Sequence, residues 1–108
     1  MSALEILAEA RIREWLARPR AEREQAELSY DATAPLELQL MSDVLALDRL
    51  AARTTDDEER RALEKKADAL MLRALVLLER DSRPLAAQHF AERRRESALA
   101  ARAARDSA

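Results

Sequence analysis

Apolar residues recur along this chain at spacings of three and four, which is how a helix builds a single buried stripe. Leu4, Leu7, Ala8, Ile12, Trp15 and Leu16 form the first stripe, with Glu5, Glu9, Arg13 and Glu14 outside it. Ser2 can cap this helix, and Pro19 ends it by lacking an amide proton and disfavouring helical geometry at Arg18. The predicted helix is 3–18. The segment RAEREQAE that follows offers little apolar face beyond Ala21, Ala26 and the adjoining Leu28, and reads as solvated, with room for a short helix begun by Pro19. SYDATA, 29–34, reads as a loop.

A second long helix is predicted over 35–53. Leu36, Leu40, Val44, Leu47 and Ala51 form its stripe, widened by Met41 and Leu45, while Leu38 and Leu50 fall off it. So wide a face suits a helix between two neighbours. TTDDEE then makes a tight turn, with Thr55 and Glu58 at capping-box spacing and Asp56 and Asp57 near a helix N-terminus. The helices on either side should fold back as an antiparallel hairpin.

The third helix, 56–80, starts charged and ends apolar; from Leu70 to Leu78 only Arg73 is polar. Leu63, Ala67, Leu70, Ala74 and Leu77 make its seam, with Met71 and Leu78 beside it. Leu72, Leu75 and Val76 point elsewhere and need cover of their own. Asp81 or Ser82 can cap a last helix, 84–104, with Pro84 in its first turn. Beyond Phe90 only Leu99 is a large apolar residue there, so the C-terminal end is expected to fray.

Composition narrows this to one all-α domain, a small helical bundle on a central antiparallel αα-hairpin. The chain has 108 residues, no glycine and an abundance of alanine, leucine, arginine and glutamate. Hairpin turns and phosphate loops rely on glycine, which argues against an all-β or nucleotide-binding design. With Trp15, Tyr30 and Phe90 the only aromatics, the core must be leucine and alanine. Trp15 should be buried, with its indole N–H near an acceptor at the core edge. The formal charge of -2 creates no field that selects nucleic acid or membrane. No apolar run approaches the roughly 20 residues of a membrane span, and Glu5 and Glu9 interrupt any leader-like start. A cytoplasmic protein is the expectation.

Candidate chemistry is sparse. The chain has no cysteine, and His89 is its one histidine, which removes thiolate sites and two-histidine metal sites. The acidic cluster at 56–59 is better explained by helix capping than by metal binding. No serine stands at a nucleophile turn, and paired acids such as Glu22 and Glu24 lie on polar faces. No catalytic, cofactor or metal residues are assigned, and an enzyme is not expected. Arg93, Arg94 and Arg95 make the C-terminal end locally positive and could follow a phosphate backbone. Glu92 and Glu96 punctuate that run, so a solvated face with i,i+4 pairs is the stronger reading.

The segment Leu7-Ala8-Glu9-x-Arg11-Ile12-x-Glu14 resembles the N-terminal signature of a conserved helical domain named after a DnaJ-homologue (subfamily C) protein. Pro35-Leu36 stands where that family's glycine-rich segment ends in Pro-Leu, and the acidic turn followed by a leucine-rich helix is similar in outline. RAEREQAELSYDATA replaces the glycine-containing segment, so no role of that segment is carried over. His89 is followed by Phe90, not by Pro-Asp, so the resemblance implies no J-domain activity.

The apolar surplus carries the functional expectation. Two helices wider in apolar face than one neighbour can cover call either for the chain's first and last helices or for another molecule. A non-enzymatic interaction or adaptor module is expected, binding a partner protein or a second copy through Leu72, Leu75, Val76, Leu38 and Leu50. A symmetric dimer supplies the cover by using one patch twice. The alternative is a nucleic-acid-binding accessory protein using Arg93, Arg94 and Arg95.

Overall fold

The computed structural model describes residues 2–23, 28, 30 and 34–106. Among them are five helices and no strand: α1 (Ala3–Leu16), α2 (Arg20–Arg23), α3 (Leu36–Arg53), α4 (Asp57–Arg80) and α5 (Pro84–Asp106). Apart from Tyr30 and Ala34, the loop expected at 29–34 lies outside the described residues. The molecule is organised around α3, which packs against α1, α4 and α5.

α1 begins where Ser2 Oγ accepts the amide of Glu5 at 3.3 Å. It buries Ala8, Ile12 and Trp15, whereas Leu7 is exposed, so its buried stripe is narrower than the apolar spacing predicts. The physical reason is that α1 rests mainly on one neighbour, α3. Trp15 Nε1 donates to the carbonyl of Arg23 at 2.9 Å, so α2 supplies the acceptor that a buried indole requires. Arg23 in turn donates to the carbonyl of Leu16, one of the groups that the end of α1 leaves without a helical partner, and to that of Arg18 just beyond the helix.

α3 starts immediately after Pro35 and is buried on most of its circumference. Leu40, Val44, Ala46 and Leu47 are wholly inaccessible, and Gln39, Asp43 and Asp48 are buried with them. Each leucine fully withdrawn from water contributes about 1.5–3 kcal/mol. α3 and α4 form the expected hairpin. Its capping differs by one residue from the Thr55–Glu58 box: Asp56 is the N-cap, and its carboxylate accepts the amides of Glu58 and Glu59 at 3.0 and 3.4 Å. A carboxylate at Asp56 satisfies two unpaired amides and also complements the helix dipole, which a threonine hydroxyl cannot do.

α4 buries Leu63, Ala67, Leu70, Met71, Ala74 and Leu78. It closes without glycine. Ser82 takes φ 56°, its amide bonds to the carbonyl of Glu79 at 3.0 Å, and the amide of Arg83 reaches back to Leu78 at 2.8 Å. This pair of bonds is the Schellman closure. Ser82 therefore ends α4, where capping of the following helix by Asp81 or Ser82 is the expectation from sequence. α5 then runs to Asp106, burying Phe90 and packing on α3 and α4. Arg105, near its end, still reaches Glu64 at 3.3 Å.

Candidate protein-interaction surface

The buried seam of α4 leaves an opposite face that the other described residues leave exposed. Leu72 is 64% exposed and Val76, one turn on, is 54% exposed. At about 100° per residue these two side chains lie within about 40° of each other, across the helix from Leu70 and Ala74. Lys65, Ala69 and Glu79 are exposed on the same face.

The other three residues of the expected patch do not all join them. Leu75 is half-buried and packs against the core, as does Leu50. Leu38 is 40% exposed near the start of α3, and the antiparallel hairpin sets it at about the level of Leu72. Leu50 lies at the far end of that helix, towards the turn. Leu72 and Val76 thus form the nucleus of the surface. Ile6, Leu7, Leu85 and Leu99 are also exposed, on α1 and α5; scattered apolar residues of this kind are ordinary protein surface.

The arginine run divides. Arg93 and Arg95 are exposed. Arg94 turns inward, with Nε 2.8 Å from Asp48 on α3 and a terminal nitrogen 2.9 Å from Asp68 on α4. Ser97 donates to the same Asp48 carboxylate at 3.1 Å. Arg94 is thus the polar joint between α5 and the hairpin.

A second such joint holds α1. Arg11 makes a two-pronged contact with Asp43, its closest approach 2.6 Å, and the Asp43 side chain is fully buried. The guanidinium of Arg11 also lies 5.1 Å from the centre of the Tyr30 ring, and Arg73 of α4 approaches the same ring at 5.9 Å. Burial raises the Asp43 carboxyl above the usual range while Arg11 pulls it down. Burial likewise raises Asp48, against the pull of Arg94 and Ser97. Burial, then the charge of Asp43 and the interaction of the phenol with that carboxylate, raises the Tyr30 phenol. These acids went unnoticed in the sequence, although one signal was present: Asp43 falls three residues after Leu40 and four before Leu47, a core position.

A groove of about 430 Å³ lies between α1–α2 and the first half of α4, walled by Trp15, Arg23, Ala62 and Lys66. Arg23 and Lys66 both lie over the Trp15 ring, at 5.8 and 5.7 Å. The Arg20–Glu58 pair stands at its rim, 2.7 Å apart. Among the described residues no three acidic, histidine or cysteine side chains come together to hold a metal ion. No described helix is long and apolar enough to cross a membrane.

No family model, curated protein or solved structure matches the chain. Within the Leu7–Glu14 motif, Ala8 and Ile12 serve the core and Arg11 reaches Asp43, so these residues have packing roles in this fold.

Proposed function

We propose that this protein is a small non-enzymatic helical interaction module that docks another polypeptide on the outer face of α4. One observation carries the reading: Leu72 and Val76, stacked one turn apart, are more than half exposed while the opposite side of the same helix is core. An isolated exposed leucine needs no explanation, but two adjacent ones on the outer face of a hairpin helix favour a contact surface. The arginine run gives less support to a nucleic-acid role, because Arg94 is engaged by Asp48 and Asp68.

The test compares neighbouring substitutions. Val76→Glu should leave helicity and thermal stability close to wild type and abolish association, read by sedimentation and by co-purification from the native host. Leu75→Glu, one position along, should instead unfold the chain, because Leu75 packs against the core. Unfolding by both would make the α4 outer face ordinary core. Association that survives Val76→Glu would place the binding surface elsewhere.

A further inference from the structure

The exposed face of α4 reads Lys65, Ala69, Leu72, Val76, Glu79. The intervals are four, three, four and three residues, the seam spacing of a helix that pairs with another helix. At about 100° per residue the five positions fall within about 80° of the helix circumference, directly opposite Leu63, Ala67, Leu70 and Ala74. A two-helix seam therefore lies on the exposed side of a helix already packed on its other side, and its first half, Lys65 and Ala69, borders the groove beside Trp15.

Lys65 and Glu79 stand seven residues to either side of Leu72 with opposite charges, so the ends of this seam complement each other when it is reversed. We propose that the occupant is a second copy of this chain, with the two α4 helices antiparallel about a two-fold axis at Leu72. In that register Leu72 meets its counterpart, Lys65 meets Glu79 at each end, and Ala69, three residues from the axis, packs beside Val76, four residues from it on the other copy. A parallel pairing in register would set Lys65 against Lys65 and Glu79 against Glu79, so the end charges select the antiparallel arrangement. An isologous contact of this kind uses each feature twice. The small residue Ala69, staggered by one residue against the larger Val76, lets the two helices approach closely around the Leu72 pair. With three apolar side chains per protomer, the interface falls at the small end of specific contacts, below about 1,200 Å² in total. The dimer is accordingly weak and concentration-dependent.

This inference rests on the interaction-surface reading of α4, and its tests separate the two. The first experiment is sedimentation of the full chain from low micromolar to near-millimolar concentration, for the wild type and for Lys65→Glu, Glu79→Lys and the double exchange. Each single reversal brings like charges together at both ends of the seam and should weaken dimerisation by about three- to tenfold. The double exchange recreates the pairing and should restore wild-type association. Circular dichroism checks that each exposed substitution leaves the helices intact.

The second experiment uses the absence of cysteine in the chain. Leu72→Cys lies on the proposed axis, so its thiol faces its own copy and should form a linked dimer quickly on mild oxidation. Val76→Cys, one layer off the axis, should link more slowly. A wild type that stays monomeric throughout, with no preference for linkage at Leu72→Cys, overturns the self-pairing. If that monomer co-purifies a partner lost on Val76→Glu, the interaction-surface reading stands with a different occupant. A dimer insensitive to both charge reversals and to Val76→Glu overturns both.

Discussion

Asp43 and Asp48 sit on α3 among residues that are otherwise its core, and each has an arginine from a different helix. Burial holds both carboxyls above the ordinary range despite those partners. The sign of the resulting pH dependence follows from linkage. An acid whose pKa is raised by folding holds its proton more tightly folded than unfolded, so it favours folding at low pH. That contribution declines as pH rises from the ordinary aspartate value of about 4 through the raised value, and is flat above it. The Asp48→Asn variant lacks this dependence. The prediction is that wild type gains stability relative to Asp48→Asn as pH is lowered through that window, read as paired urea midpoints. If the variant gains instead, the pull of Arg94 and Ser97 outweighs burial. Specificity of docking is the physical return for burying these acids: Asp43 accepts only a donor placed like Arg11, and Asp48 one placed like Arg94.

At the scale of the elements, the ends of helices were easier to read than their faces. Pro19, Pro35 and Pro84 mark breaks because proline lacks the amide that a continuing helix would need, and the breaks fall beside those residues. Closure of α4 was less legible, since glycine usually takes the left-handed position and here Ser82 does. A non-glycine residue in that region costs roughly 1 kcal/mol. Ser82→Gly should therefore raise unfolding stability by about 1 kcal/mol, observed as a higher urea midpoint at unchanged slope. No gain would mean that the serine hydroxyl compensates the strain locally. Faces are harder because Leu70–Leu78 is apolar almost all round. Periodicity could not separate Leu75, which packs on the core, from Val76 beside it, which does not; that choice is made by where α3 and α5 lie.

On the whole-molecule scale, the longest apolar run marks the outer helix of the hairpin, and α3, with two buried acids in its stripe, is the centre. Apolar content measures how much a helix could bury, whereas position depends on how many neighbours it has. α3 has three packed partners, while α5 fully buries only Phe90 and holds on otherwise through half-buried alanines and polar joints at Arg94 and Arg105. Regions with few buried apolar contacts open locally at lower free energy than the global transition. Native-state hydrogen exchange should therefore show the amides of Val44 to Leu47 opening only with global unfolding. Those of α5 beyond Ser97 should exchange through a cheaper local opening, insensitive to low denaturant. Phe90→Ala should spread that fast exchange towards Pro84 while leaving α3 at the global limit of the variant, because it removes the one large side chain that α5 inserts into the core. Protection along α5 equal to that of α3 would mean that Arg94, Asp48 and Ser97 bind the last helix as firmly as apolar packing binds α1, α3 and α4.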